Sequence, residues 1–406
     1  MTHPADRLAF DRAIVAQPVW NRFDTAREAA GLADNVLLHA GPPFTDPAMI
    51  PVPVMNSAMV AAVYEGLARD FDQAQAMILA KEITLQPAQD HGVVVPLAAV
   101  ISASMPLHSV YDAWRGRIRC FAPINGGPRP SLRLGLCDTS VLDHIRWLNT
   151  AVRDVLQDGI GEGVGLVALA VDGLKAGDDC HGYTPAAGAA LVREIHARHR
   201  GPIPEDIAAF LSSAPSLFLN LWMAATKVMM RSAEGTAGSG LITAAGGNGR
   251  EVGIQIAGSP GKWFTFEAEP PNGDLGDHAP ERALGAIGDS AIVDCFGLGA
   301  MAFRHVPAQR QAMAGFLPQD FAELSDELGL GSHPNFRGLD QRFGCSVRQV
   351  AKIKAGPLIS LGVIDKQGEL GRLGGGIYKV PLALCKMAGS GLENSDAPEG
   401  PHHPSV

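Results

Sequence analysis

Apolar and polar positions alternate along the chain with two distinct periods, and the switch between them outlines the elements. Ala5 to Ala16 repeats its apolar residues at helical spacing and is stopped by Pro18. Ser57 to Ala80 repeats the same spacing, as two helices meeting near Asp70. The run Val93 to Val100 is continuously apolar and predicts a buried strand, and Ile118 to Ala122 predicts another. Val141 to Leu156, VLDHIRWLNTAVRDVL, predicts a helix with Asp138, Thr139 or Ser140 as its cap. Helical spacing then dominates to about Glu234, interrupted at GDDCHGYTP and HRGPIP. Ser216 to Ala233 is apolar around most of its circumference, the mark of a central buried helix. After Gly235 the period falls to two. VGIQIAG and KWFTFEA form a predicted hairpin around the turn SPGK. Helices near Pro307 to Gly315 and Pro318 to Gly329, a short helix in SVRQVAKIKAG and a strand in LISLGVID complete the pattern.

These changes of texture divide the chain into an N-terminal α/β domain (1–140), a mainly helical domain (141–235), a C-terminal α+β domain (236–388) and a disordered tail (389–406). Strands and helices do not alternate as βα units. The fold class is therefore α+β, a composite multi-domain structure, rather than a doubly wound sheet. Composition narrows the partners. The 406 residues carry a net charge of −9 with no Lys/Arg cluster, which argues against nucleic acid. The most apolar window, Val93 to Leu107, is too short for a membrane span and holds two prolines. Charged residues make up only 18%, which fits large buried surfaces and a homo-oligomer. The six cysteines form no CxxC pair, and the N-terminus lacks a signal-peptide pattern, so a reducing cytoplasm is the expected setting.

Candidate chemistry lies in the turns. In GDDCHGYT, His181 is a candidate proton shuttle oriented by Asp178 or Asp179, because a carboxylate partner fixes the imidazole tautomer and raises its basicity. The same stretch equally fits a loop that caps the helix opened by Thr184 and Pro185. Cys180 fits a small core residue better than a nucleophile. In AAGGNGREVGI the glycines would bring backbone amides close to a ligand. The amides of Asn248 and Gly249 are thus a candidate oxyanion clamp, with Arg250 beside them, and a plain turn is the alternative. Asp289 and Ser290, in GDSAI, would cap a helix or bind a ligand. His39 and His91 are isolated imidazoles. Asn220 and Lys227 stand seven residues apart on one face of the apolar helix, as a buried network or a pocket wall. INGGP and GRLGGGIYKVP are further glycine turns. HExxH and GxSxG are missing, and no metal or cofactor is expected.

The ordered set LLHAGPP, VISASMP, GDDCH, FLNLWMAATK, NG before GI, WFT, GDSAI and a closing GGGI resembles the YlbE-type family, from about Asp11 to Met387. That family was long a domain of unknown function, and includes a subunit of bacterial oxamate carbamoyltransferase. The resemblance implies a composite α+β fold with a small helical insert. It also implies phosphorolysis of oxalurate to oxamate and carbamoyl phosphate, or the reverse, with companion subunits. Its motifs match at His39, His91, Asp178, Asp179, His181, Asn220, Lys227, Asn248, Gly249, Asp289 and Ser290. The chain departs from the family at three places. QDH keeps only His91 of a histidine run, Gly182 and Tyr183 replace an asparagine and a basic residue, and Gly247 replaces an arginine. These losses point to an altered substrate.

The expectation is an enzyme, or enzyme subunit, acting on the C–N bond of a small anionic ureido or amide compound. His181 with Asp178 or Asp179 would move the proton. Arg250 or Lys227 would anchor a carboxylate. Hydrolysis of a small ureido acid, or a non-catalytic ligand-binding or scaffold subunit, are the alternatives.

Overall fold

The computed structural model describes residues 2–393. Its first layer is an antiparallel sheet in the order Arg119–Pro123, Pro106–Asp112, Pro18–Thr25, Val164–Gly165. The apolar helix Ser216–Arg231 packs on this sheet, and its Phe218, Trp222 and Met223 are fully buried with Trp20, Val110 and Cys120 of the strands. That apolar circumference is thus satisfied by burial on all sides. No single helix among the described residues is long and apolar enough to cross a membrane.

A second sheet sets Val36–His39 parallel to Thr84–Pro87 and antiparallel to Val100–Ile101. The helices Val52–Glu65 and Phe71–Leu79 pack with it, and Asp70 caps the second through Gln73 N at 2.8 Å. Two larger sheets, with a small pair Gly329–Gly331 and Phe343–Cys345, lie in the rest of the chain. One runs Ser259–Glu267, Glu251–Ile256, Ile242–Asn248, Ile287–Gly288; the other runs Asn272–Asp274, Arg372–Lys379, Leu358–Ile364. The outcome is the mixed α+β fold that the patterning predicts.

Three predicted elements differ. Val93–Val100 is almost entirely buried but is no strand. Pro96 lacks an N–H, Leu97 sits at φ 48°, and besides an isolated bridge from Val93 to Phe121 only Val100–Ile101 pairs. The run's amides are satisfied singly, Val94 N by Phe121 O and Ala98 N by Arg133 O. The helix from Thr139 is capped by Asp138, but passes through a wider π turn at Leu148–Val152 before resuming at Arg153–Ile160. The hairpin turns at Ala257–Gly258, and SPGK lies inside the second strand, where the register shifts. Of the expected disordered tail (389–406), residues 389–393 belong to the helix Leu382–Glu393; 394–406 lie outside the described residues.

The first helix, Pro4–Ile14, is clasped by the far end of the chain. Asp6 accepts from Gly240 N at 2.6 Å and from Ser346 Oγ at 2.6 Å. Phe10 lies so close to Gly331 and Gly344 that a Cβ at either would stand 2.7 Å from its ring.

Candidate functional site

His181 sits in the loop between the helices Leu166–Lys175 and Pro185–Arg198, almost fully buried. Its Nδ1–H donates to Asp294 Oδ2 at 2.5 Å. The orienting carboxylate is therefore Asp294, 113 residues away in the short helix Ala291–Phe296, and not Asp178 or Asp179. Asp294 is itself locked, since its Oδ1 accepts from Ala300 N at 2.8 Å and Ser360 N at 3.0 Å. Only glycine fits at 299, where φ is 57° and a Cβ would stand 2.2 Å from Asp294 Oδ1. With Nδ1 committed, Nε2 is the free atom, and it has no hydrogen-bond partner among the described residues.

The two neighbouring acids have other tasks, set by local geometry. Asp178 accepts from Ala186 N at 3.2 Å and Ala187 N at 2.7 Å, so it caps the helix that Pro185 opens. Thr184 occupies the cap position but donates instead to Pro215 O. Asp179 Oδ1 accepts from His181 N at 2.7 Å and Tyr183 N at 2.8 Å, which shapes the loop. Its Oδ2 is buried without a partner, and burial pushes the carboxyl up to about 6. Burial alone would lower the His181 pKa. The Asp294 charge and hydrogen bond, with the Asp179 charge, outweigh burial and hold it above 6.5. Cys180 is a core residue at φ 60°, its thiol pushed well up by burial, and is no nucleophile. Asp178→Ala is expected to cost about 1 kcal/mol through the lost cap while leaving the His181–Asp294 bond intact, which urea denaturation and a histidine NMR titration would read separately.

The glycine corner near 248 is closed on itself. Asn248 Oδ1 accepts from Arg250 N at 3.0 Å and Glu251 N at 2.8 Å, and its Nδ2 donates to Pro42 O at 2.9 Å. Gly249 N donates to Ala286 O. These amides hold a tight turn and are not free to clamp an oxyanion. Arg250 is exposed and its side chain has no partner among the described residues. Lys227 is buried, with Nζ on Thr243 O at 3.0 Å and Glu234 Oε1 at 3.4 Å, as the buried-network reading requires. Asn220 Nδ2 donates to Asn125 O at 3.0 Å, and its Oδ1 is buried without a partner.

Asp289 is fully buried and accepts from Gly41 N at 2.9 Å, Gln89 Nε2 at 2.8 Å and Val95 N at 3.0 Å, joining three distant segments. Ser290 begins the Asp294 helix without a side-chain cap bond. His39 lies in the core; Nδ1 meets Ala40 O at 2.7 Å, and burial lowers its pKa to about 4. His91 Nε2 meets Gln86 Oε1 at 2.7 Å, on the wall of a separate 680 Å³ cleft shared with Arg22, Arg117 and Arg231.

Asp294 was not legible as the partner of His181. The available signal was a lone acid inside the apolar stretch AIVDCF.

Comparison with known proteins gives the lineage. The model of the oxamate carbamoyltransferase subunit AllG matches residues 83–290. The AllG subunit of Escherichia coli is 30% identical over 378 residues, which cover 89% of this chain and 90% of that protein. The chain belongs to the AllG family. A second E. coli relative, the uncharacterized protein YahG, is 31% identical over 404 residues, 95% of this chain and 84% of that protein. A crystal structure of a conserved protein of unknown function from Enterococcus faecalis superposes with a TM-score of 0.89 at 26% identity, covering 96% of this chain and 97% of that one. The AllG-family match spans both the loop of His181 and the turn of Asp289, but stops before Asp294.

Proposed function

We propose that the chain is a subunit of an enzyme that moves a carbamoyl group between a small ureido acid and phosphate, with His181 as the proton carrier. The observation that carries this reading is the buried His181–Asp294 pair with Nε2 left free. The family adds the reaction class, since one relative is an oxamate carbamoyltransferase subunit. In the phosphorolytic direction, a phosphate oxygen attacks the ureido carbonyl carbon while His181 Nε2 takes the proton from that phosphate hydroxyl. The tetrahedral adduct collapses with cleavage of the C–N bond. The imidazolium returns the proton to the departing nitrogen, giving an amide and carbamoyl phosphate. Asp294 keeps the required tautomer and stabilises the imidazolium between the two transfers. The six free cysteines suit work in a reducing cytoplasm.

The test is to purify the tagged chain with whatever subunits accompany it and to supply oxalurate and other small ureido acids with and without phosphate. Phosphate-dependent carbamoyl phosphate, lost in His181→Gln, is the expected result. Ammonia release without phosphate would make it a hydrolase. Activity unchanged in His181→Gln would remove His181 from the chemistry and leave a scaffold role.

A further inference from the structure

We propose that Arg372, backed by Arg133, holds the oxyanion of a small ligand beside His181 Nε2, as a carboxylate or phosphate site. The inference takes its ligand class from the carbamoyl-transfer reading above. Its geometry is independent of that reading.

The strand Leu358–Ile364 organises the place. Side chains two apart on a strand share a face, so Ser360 and Gly362 look the same way. On that face a Cβ at Gly182, next to His181, would stand 3.0 Å from Ser360 Oγ. A Cβ at Gly362 would stand 3.3 Å from Arg372 Nε and 3.5 Å from Leu97. The His181 loop and Arg372 thus flank one strip of strand, about 7 Å apart along it. Leu97 brings in the third segment, because the following amide, Ala98 N, donates to Arg133 O at 3.2 Å. The positive φ at Leu97 is what folds this turn into the strip.

The charges are unbalanced. Among the described residues, none of Arg129, Arg133 and Arg372 pairs with a carboxylate. Arg133 Nη1 donates to Asn125 Oδ1 at 2.8 Å and Ser131 Oγ at 2.9 Å, and its Nη2 to Gly127 O at 2.8 Å, all neutral acceptors. Arg129 lies over the Trp147 ring. Arg372 uses only Nε, on Gly374 O at 2.8 Å, so both Nη groups are free. Arg372 is solvent-exposed, yet burial lowers its pKa. Burial with the Arg372 charge brings Arg133 down to about 10, and the Arg372 charge also acts against the His181 imidazolium. Two guanidiniums pressing on each other without an acid are relieved by a bound anion, and Arg372's free fork suits two oxygens of one oxyanion. On a chain of net charge −9 this strip is a local positive spot. It replaces Arg250 and Lys227 as the anchor.

The test is calorimetric titration of the full chain with inorganic phosphate and, separately, with oxamate. At least one is expected to bind, which identifies the source of the oxyanion. Arg372→Gln should weaken that ligand at least tenfold, and Arg372→Lys by an intermediate factor, since charge stays and the fork is lost. His181 supplies a readout that a purely structural role would not move. In Arg372→Gln its NMR titration should shift to higher pH. Binding equal to wild type in Arg372→Gln, or no binding of either anion to wild type, overturns the proposal. His181→Gln should bind within about threefold of wild type by calorimetry. If it binds so and still turns over, the proton-carrier reading fails and the clamp stands.

Discussion

Asp294→Asn is expected to lower carbamoyl transfer by about 10² to 10⁴-fold while leaving the fold in place. Asp294 Oδ1 carries both backbone contacts, Ala300 N and Ser360 N, and an amide oxygen can keep them. The amide NH₂ then faces His181 where Oδ2 stood. The imidazole must turn that nitrogen into an acceptor, which places its proton on Nε2 and removes the base. The pH profile tells this apart from a general loss of packing. With Asp294 present, the His181 imidazole is held above its ordinary range, and activity as a base rises as pH passes through that raised pKa. With asparagine the carboxylate charge is gone, burial dominates, and the limb of kcat/KM should move to lower pH. A profile unmoved in Asp294→Asn would show that His181 is not the titrating group.

Asp289→Ala should be the most destabilising single change near the site, by about 3–5 kcal/mol. It strands three buried donors, Gly41 N, Gln89 Nε2 and Val95 N, that belong to three separate segments. Gly41 has no room to adapt, for its φ is 74° and a Cβ there would stand 2.4 Å from Gly247 C. Asp289 also ties stability to pH. Burial pushes its carboxyl up to about 7, against the three donors and Lys227. A carboxyl raised in the folded state binds its proton more tightly there than when unfolded. Its contribution is thus greatest below the ordinary aspartate range and declines as pH rises toward 7. Urea midpoints of wild type and Asp289→Asn, compared at pH 5 and pH 8, should converge as pH rises. A constant gap would mean that Asp289 is ionised throughout and that its three donors dominate.

The helices were legible because their apolar spacing is local. Ser216–Arg231 and the pair meeting at Asp70 needed no knowledge of the rest of the chain. Val93–Val100 misled because continuous apolarity reports burial, not pairing, and Pro96 with Leu97 breaks the ladder inside the run. The site divides the same way. His181 stood out beside two acids, but adjacency in sequence favoured Asp178 and Asp179, whose carboxylates are consumed by backbone amides two to nine residues on. The partner that meets the ring is 113 residues away, a distance set by how the last third of the chain folds back. The corner at Asn248 failed for a complementary reason. Glycines permit amides to approach a ligand, but they also permit a strand turn to close on itself, and here Asn248 Oδ1 takes the amides of Arg250 and Glu251 while Gly249 N goes to Ala286 O.

The clasp on the opening helix bears on how the protein is made. Asp6 must wait for Ser346, 340 residues later. At ordinary translation speeds that is roughly 20 to 70 s during which Phe10 has left the ribosome without its seat against Gly331 and Gly344. Nascent chains should therefore be sensitive to chaperone supply until the last third has emerged, and slow synthesis should lower the yield of native protein rather than raise it.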